Sequence, residues 1–241
     1  MTLSPDRILI IGGGHGLGFA LVEECIRRFP QSEVLATYRR EDFALPLLNS
    51  KATRFKIDPL NETEVEAFCR DLGQIDLFIN AIGVLHDDKV QPEKSLKDIS
   101  IEKLTYEFQV NAFITPLWAK YLKKKFSQST ISVFATLSAM VGSIGENEIG
   151  GWYGYRASKT ALNMFIKNIS IEFERSRLKT SVVAIHPGTT HTELSAPFLK
   201  GIKHKVWEPN PAANNILDVL LDCPEEGTGL FKNWDGRNIA W

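Results

Sequence analysis

Short apolar runs alternate with longer helical patterns along almost all of this 241-residue chain. Several runs are apolar at every position, which is typical of parallel strands covered by helices on both faces. The predicted strands are Arg7–Ile11, Glu33–Thr37, Thr53–Ile57, Ile75–Ile79, Thr130–Thr136, Thr180–Ile185 and Gly229–Phe231. Helices are predicted over roughly 16–29, 61–72, 99–126 and 153–177, with looser boundaries elsewhere. This order predicts one α/β domain over residues 1–241, a doubly wound and mostly parallel sheet of about seven strands with helices on both faces.

Composition narrows the functional classes. The 28 basic and 29 acidic residues give a net charge of −1, which indicates no binding of nucleic acid and no electrostatic membrane attachment. Cys25, Cys69 and Cys223 lie far apart, so neither a disulfide framework nor a metal site is predicted. The sequence shows no secretory leader and no membrane-spanning run, so a soluble, cytoplasmic protein is expected.

A glycine-rich turn follows the first predicted strand and opens the first helix. Glycine lets the backbone turn sharply and lets a pyrophosphate approach the N–H groups at the helix start. A turn without a ligand is the alternative, but the strand before and the helix after favour Rossmann-type dinucleotide binding. The candidate cofactor residues in this turn are Gly12, Gly14, His15, Gly16, Leu17 and Gly18.

The end of the second strand bears on which dinucleotide would bind. An NAD site usually places a carboxylate there for the ribose 2′-hydroxyl, whereas this chain has Arg39 and Arg40. A guanidinium at Arg39, or at Arg40, suits a 2′-phosphate, and His15 offers a second donor, which favours NADP over NAD. Either arginine alone could also simply end a strand in solvent. Asp58, after the third strand, is a candidate acceptor for the adenine amino group or a turn former.

Tyr155 and Lys159 stand four positions apart in the predicted helix 153–177, so their side chains share one face. An ammonium beside a phenol lowers the phenol's pKa from its usual value of about 10. Tyr155 could then protonate a carbonyl oxygen as hydride reaches the carbon, or accept a proton in the reverse direction. Because a tyrosine at a helix start is often structural, the weight of this pair depends on the motifs around it.

Those motifs occur in a recognisable order. The glycine turn is followed by Asn111, Ser138, the Tyr155–Lys159 pair and the run Pro-Gly-Thr-Thr-His-Thr that starts at Pro187. In this order the chain resembles the short-chain dehydrogenase/reductase family over essentially its whole length. Residues 137–144, 150–159 and 231–236 are similar to the branch that contains C-factor and sniffer-type carbonyl reductases. The motif set is specific for the family and much less specific for a substrate.

The resemblance implies a role for each catalytic candidate. Tyr155 would be the general acid/base, and Lys159 would lower its pKa and hold the nicotinamide ribose. Ser138 would donate to the substrate oxygen, and Asn111 would help to position a water in the proton relay. Structural alternatives stay open for two of them, a turn or capping role for Ser138 and a buried amide for Asn111.

The resemblance also implies further cofactor contacts. Asn80 and Ala81 would flank the adenosine ribose, and Pro187, Thr190 and Thr192 would lie at the carboxamide or phosphate end of the cofactor.

The sequence departs from the family pattern in three places. Ile11 replaces the usual Thr, and Asn80-Ala81-Ile82-Gly83 has one Asn fewer than the usual loop. Ser138 stands 17 positions before Tyr155 instead of about 13, so Ser143 is the fallback.

The segment after the Pro187-Gly188 turn, about residues 190–206, is predicted to be a substrate lid. It mixes apolar residues with a basic cluster, which leaves a modest apolar carbonyl substrate and an anionic one both open. Trp152 and Tyr153, next to Tyr155, are candidate pocket walls. Helices 99–126 and 153–177 carry more apolar residues than one sheet face needs, which predicts a homodimer or homotetramer.

Three functional hypotheses follow. The first is an NADP-dependent oxidoreductase of carbonyl reductase type, which transfers a hydride between the nicotinamide cofactor and a small carbonyl or alcohol substrate. The second is a dinucleotide-binding sensor or signalling protein; the set of Asn111, Ser138, Tyr155 and Lys159 argues against it, because a sensor needs no proton relay. A methyltransferase-type Rossmann enzyme is third, and it leaves Tyr155 and Lys159 unexplained.

Overall fold

A computed structural model of the chain describes residues 3–41 and 50–241. Seven strands form one sheet in the order β3-β2-β1-β4-β5-β6-β7, and every neighbouring pair is parallel. The strands are β1 Arg7–Ile11, β2 Glu33–Tyr38, β3 Thr53–Lys56, β4 Leu77–Asn80, β5 Ser132–Leu137, β6 Thr180–His186 and β7 Leu230–Asn233. The predicted fold class, a doubly wound parallel α/β sheet of seven strands, is confirmed.

The helices of the described part cover both faces of this sheet. They are α1 Gly16–Arg28, α2 Glu62–Asp71, α3 Ile101–Phe108, α4 Ile114–Leu122, α5 Tyr153–Arg175 and α6 Pro209–Glu226. From the sequence no bounds were predicted for α6, whose first turn contains two prolines. Pro209 and Pro211 fit there, since the first N–H groups of a helix have no partner within it.

The prediction of one helical stretch over 99–126 was wrong in one respect. The α-helical pattern is interrupted between α3 and α4 by a wider π-helical turn, Gln109–Phe113. Asn111 lies in this turn, and its amide bonds both backbone groups of Val84, far away in sequence. A partner outside the helix therefore accompanies the widening, as is common for π turns near functional sites.

Alternate strand residues contribute to two separate hydrophobic layers. In β1, Leu9 and Ile11 pack in the layer that contains Trp118 of α4, whereas Ile8 and Ile10 pack in the layer of α1 and α6. All four of these β1 side chains are fully buried. Burying both faces explains why the strands read as continuous apolar runs.

The sheet order fixes where a ligand can bind. From β1 the chain first builds outward through β2 and β3 and then returns to place β4 on the other side of β1. A crevice forms beyond the carboxyl ends of strands where the order reverses in this way, so the segments that follow β1 and β4 meet there. Within residues 3–41 and 50–241, no helix is long and apolar enough to cross a bilayer.

Candidate active site

A cavity of about 970 Å³ runs along the carboxyl edge of the sheet. Its wall includes residues that directly follow β1, β2, β4, β5 and β6, together with the first turns of α5. The predicted site residues on this wall are Gly12, Gly14, His15, Gly16, Leu17, Gly18, Arg39, Ala81, Ser138, Tyr155, Lys159, Pro187, Thr190 and Thr192. Three predicted residues, Asp58, Asn80 and Asn111, are not on it.

The glycine turn forms one end of the cavity through its backbone. Gly12 has a left-handed φ of +78°, and a Cβ on Gly18 would stand 2.1 Å from the carbonyl oxygen of Gly12. This contact brings the first turn of α1 against the loop. His15 precedes α1, and its side chain forms no capping hydrogen bond. The first N–H groups of α1 therefore face the cavity without that cap, which suits a phosphate group.

Arg39 and Arg40 line the cavity beyond the end of β2. The Tyr106 hydroxyl donates to Oδ2 of Asp87 at 2.6 Å. Burial raises the pKa of Tyr106 to about 12, the charge of Asp87 adds to this rise, and Arg39 opposes it. Arg39 thus lies near a tyrosine that reaches it from α3, across this end of the cavity.

Asp58 and Asn80 bond within the protein. Oδ1 of Asp58 accepts from the N–H of Leu60 at 3.1 Å, which is the turn-forming alternative. Asn80 donates to the Thr115 hydroxyl at 2.9 Å and accepts from the N–H of Ile82 at 2.9 Å. Asn80 therefore shapes the loop that carries Ala81 to the cavity wall, and the contacts predicted for Asp58 and Asn80 with adenosine stay predictions.

Tyr155 and Lys159 are both buried on the wall of the same cavity. Nζ of Lys159 lies 5.8 Å from the centre of the Tyr155 ring and donates to the carbonyl oxygen of Leu137 at 3.1 Å. The expected lowering of the Tyr155 pKa is absent here: burial raises this pKa well above its usual value, and the charge of Glu107 adds to the rise. Burial also lowers the pKa of Lys159 to about 8. Tyr155 therefore holds its proton at neutral pH.

The Asn111 side chain lies behind this pair. Its Oδ1 accepts from the N–H of Val84 at 2.8 Å, and its Nδ2 donates to the Val84 carbonyl and to Oγ of Ser158 at 3.1 Å. This is the buried-amide alternative, and a role in the proton relay stays a prediction. Gly83 was missed as a site residue: a Cβ there would stand 3.3 Å from Nζ of Lys159 and 3.4 Å from Oδ1 of Asn111.

Ser138 lies on the cavity wall, and its Oγ donates to Oδ1 of Asn163 at 2.7 Å. The fallback residue Ser143 is buried and is not among the residues on this wall. Asn163 was also missed, although its position in the sequence carried a signal. Tyr155, Lys159 and Asn163 are spaced four residues apart and therefore share one face of α5.

The predicted lid, residues 190–206, is anchored at both ends. The N–H of His191 donates to the Trp207 carbonyl at 2.7 Å, and the N–H of Trp207 donates to the Thr189 carbonyl at 2.8 Å. Nε2 of His86 lies 3.0 Å from the carbonyl oxygen of Glu193. Movement of this segment, and hence its role as a lid, stays a prediction.

Aromatic rings form the wall around Tyr155. The Trp152 ring lies 6.2 Å from the Tyr155 ring and 5.2 Å from the Phe198 ring, and His86 contacts Phe198 at 5.4 Å. Leu85 and Leu194 pack with this group. The three lysines of the basic cluster are exposed and are not among the residues on the wall, namely Lys200, Lys203 and Lys205.

Comparisons with known proteins were made for sequence and for structure. A family model described as short chain dehydrogenase matches residues 6–202. An uncharacterized oxidoreductase of Schizosaccharomyces pombe is 28% identical over the whole of both chains. The carbonyl reductase Sniffer of D. melanogaster has the same fold, with a TM-score of 0.83, 24% identity and coverage of 98% of this chain and 99% of its own. An NADPH-bound carbonyl reductase from chicken fatty liver gives a TM-score of 0.83 at 21% identity, with coverage of 98% and 99%.

Proposed function

This chain belongs to the short-chain dehydrogenase family, and on that premise we propose that it is an NADP-dependent carbonyl reductase with Tyr155 as its general acid/base. One observation carries the proposal. Tyr155, Lys159 and Ser138 lie on the wall of the same cavity as the glycine turn at the start of α1. A dinucleotide held at that turn could therefore extend toward a buried phenol and a buried amine.

The residues at the glycine end fit a dinucleotide phosphate. Gly18 permits the close backbone approach, and the start of α1 is free of a side-chain cap from His15. Arg39 and Arg40 stand where a carboxylate would mark preference for NAD, and a guanidinium fork matches a 2′-phosphate. The carbonyl reductase from chicken fatty liver, a structural neighbour, is described with bound NADPH, which supports the same choice.

The chemistry of reduction divides between the cofactor and the chain. The bound cofactor supplies the hydride to the carbonyl carbon. Tyr155 donates its proton to the carbonyl oxygen, and the Ser138 hydroxyl turns from Asn163 to donate a hydrogen bond to the same oxygen. Lys159, whose pKa is lowered to about 8, is still mostly charged at pH 7, and it favours the phenolate that Tyr155 becomes. Asn111 holds the loop beside Lys159 through Val84.

An apolar carbonyl compound fits the cavity better than an anionic one. The space beside Tyr155 is bounded by the rings of Trp152 and Phe198 and by Leu194. Of the basic cluster, only His204 lies on the cavity wall, and the exposed lysines are not part of it. Either a small ketone or an aldehyde is compatible with this wall.

The proposal extends to assembly and location. Phe113, Met164 and Ile171 are large apolar side chains exposed on the π turn and on α5, by 43%, 62% and 36%. Pairing of two copies over this surface would bury them, which supports a homodimer or homotetramer. A cytoplasmic location is proposed on the composition of the chain.

The test is the substitution Tyr155→Phe, which removes one hydroxyl from a buried ring. NADPH oxidation with a panel of ketones and aldehydes should fall by about three orders of magnitude or more, since the proton donor is lost. NADPH affinity should stay within about twofold. The matched control is Tyr153→Phe, because Tyr153 is 37% exposed two residues away and is not on the cavity wall.

The same experiment separates the sensor hypothesis. A sensor would bind NADPH and show no Tyr155-dependent oxidation of it with any carbonyl compound in the panel. Undiminished turnover by Tyr155→Phe would remove Tyr155 from its proposed role.

A further inference from the structure

Two buried glutamates lie beneath the first turn of the helix that carries Tyr155. Glu93 is 1% exposed, and Glu107 on α3 is 0% exposed. Glu93 holds the helix start twice: its carbonyl oxygen accepts from the N–H of Trp152 at 2.6 Å, and its Oε2 accepts from the N–H of Gly154 at 3.1 Å. Because the first N–H groups of a helix have no partner within it, Glu93 caps α5 from a loop some sixty residues away.

Glu107 approaches the same turn without a hydrogen bond. Both of its carboxyl oxygens, and Oε1 of Glu93, are buried and have no partner within the part of the chain that the structure describes. A Cβ on Gly154 would stand 1.8 Å from Oε2 of Glu107, so the glycine is what lets the carboxyl group reach the helix. Burying an ionised carboxylate without partners costs far more free energy than burying the neutral acid. The fold therefore favours a protonated Glu107.

Three titratable groups face Glu107 from the elements around it. Glu93 comes from the loop before α3, Lys103 from α3 itself and Tyr155 from α5. Burial raises the pKa of Glu107 to about 7, the charge of Glu93 adds to the rise, and Lys103 opposes it. In turn, the charge of Glu107 adds to the rise in the pKa of Tyr155.

We propose that Glu107 is a positioning residue for Tyr155: its buried carboxyl group keeps a proton beneath the first turn of α5, and its ionisation places a negative charge beside the turn that carries Tyr155. This inference rests on the proposed role of Tyr155 as acid/base. With the Glu107 proton in place, the neutral carboxyl group sits against the turn that carries Trp152 and Tyr155 to the cavity. Without that proton, the negative charge on Glu107 makes Tyr155 a weaker acid for carbonyl reduction and keeps it protonated over more of the pH range in alcohol oxidation.

The first test is the pH profile of alcohol oxidation by Glu107→Gln. Glutamine keeps the shape of the protonated acid and cannot ionise. The limb of the profile that reports loss of the Tyr155 proton should move to lower pH by about 0.5–1 unit, because the nearby negative charge is gone. NADP affinity should stay within about twofold. Glu102→Gln, the same change at an exposed position of α3, should leave the limb where it is in the unmodified protein.

The second test needs no turnover and measures the Glu107 proton through stability. A carboxyl group whose pKa is about 7 when folded and near 4.5 when unfolded stabilises the fold below pH 4.5, and this contribution is lost as pH rises through 7. Glu107→Gln does not suffer that loss. The denaturant midpoint of the variant relative to the unmodified protein should therefore rise between pH 5 and pH 8, whereas the difference for Glu102→Gln should stay flat.

The outcomes of these two tests distinguish a failure of the Glu107 inference from a failure of the proposed function. A flat midpoint difference for Glu107→Gln overturns the buried, protonated state of Glu107. If the midpoint difference rises but the pH limb of alcohol oxidation does not move, in an enzyme whose turnover depends on Tyr155, the coupling of Glu107 to Tyr155 is overturned. If the unmodified protein has no Tyr155-dependent turnover at all, it is the proposed function that fails, and the positioning role falls with it.

Discussion

Where a phosphate group would bind, the cavity wall is the backbone of the glycine turn, whereas at the Tyr155 end it is formed by side chains from distant elements. The turn between β1 and α1 spans only residues 12–15. Around Tyr155, by contrast, Ser138 follows β5, Lys159 and Asn163 come from α5, and Gly83 follows β4. The glycine turn thus belongs to one strand–helix unit, whereas the Tyr155 end combines side chains and backbone from three segments of the chain.

This difference determines how each end can fail. A backbone wall has no functional group to delete, so it is broken by adding atoms. A side-chain wall is broken by deleting a hydroxyl or a charge, and its groups carry a cost in stability because they are buried. Four substitutions probe this contrast.

Adding one carbon should break the backbone end most severely. In Gly18→Ala the new Cβ would meet the Gly12 carbonyl oxygen at 2.1 Å, so the turn must shift. NADPH affinity should fall about 1,000-fold, which is roughly 4 kcal/mol, as measured by fluorescence titration. Gly145→Ala is the control, because Gly145 is exposed and its nearest contact would be 3.9 Å away. Unchanged affinity in Gly18→Ala would remove the turn as the phosphate site.

Removing the buried amine of Lys159 should reveal how much stability its burial costs. The pKa of Lys159 is about 8 when folded, below its usual 10.5, so the unmodified protein gains stability as pH rises from 8 to 10.5. Lys159→Met lacks this gain, and its stability relative to the unmodified protein should fall by about 3 kcal/mol over that range. Denaturant unfolding at both pH values measures it. A constant difference, like that expected for Lys167→Met at an exposed position of α5, would contradict the buried charge.

Deleting a hydroxyl should distinguish the two serine candidates. Ser138→Ala removes the donor on the cavity wall, and kcat/KM for a ketone should fall about 100-fold. Ser143→Ala should change it less than threefold, because Ser143 is not on that wall. Steady-state kinetics on both variants measures these losses. A larger loss of kcat/KM in Ser143→Ala than in Ser138→Ala would assign the substrate contact to Ser143.

The smallest expected effect concerns the 2′-phosphate. Arg39→Ala should weaken NADPH binding about tenfold more than NADH binding, since one charge-assisted hydrogen bond contributes about 1.5 kcal/mol. Arg40→Ala is the matched comparison, because both arginines line the cavity. A selective loss in Arg40→Ala alone would assign the phosphate contact to Arg40, and equal losses of NADPH and NADH in both variants would argue against NADP.

The contrast also explains how much the sequence could predict. The glycine turn and the Tyr155–Lys159 pair are local patterns, and so are the apolar runs that made the parallel sheet predictable. The partners of Asn80 and Asn111 could not be predicted, because Thr115 and Val84 reach them only in the folded chain. Their side-chain amides are held by the protein instead of lining the cavity.

The burial of Glu93 and Glu107 could not be predicted from the sequence either. Glu93 and Glu107 stand in polar stretches and look like ordinary surface residues. They are buried because α5 begins above them with a glycine that leaves room for a carboxyl group. β4 begins at Leu77 instead of Ile75, and the carboxylate of Asp76, just before it, accepts from the N–H groups of Asp6 and Arg7.

The π turn at 109–113 keeps two neighbouring helices in different rotational phase. Each residue of an α-helix advances the side-chain direction by about 100°, so one extra residue per turn redirects everything on its far side. With it, α4 aims Trp118 at the sheet while α3 aims Glu107 at α5. Deleting a single residue there would force a choice between the hydrophobic layer and the carboxyl pair, and evolution of this segment by insertion or deletion is correspondingly constrained.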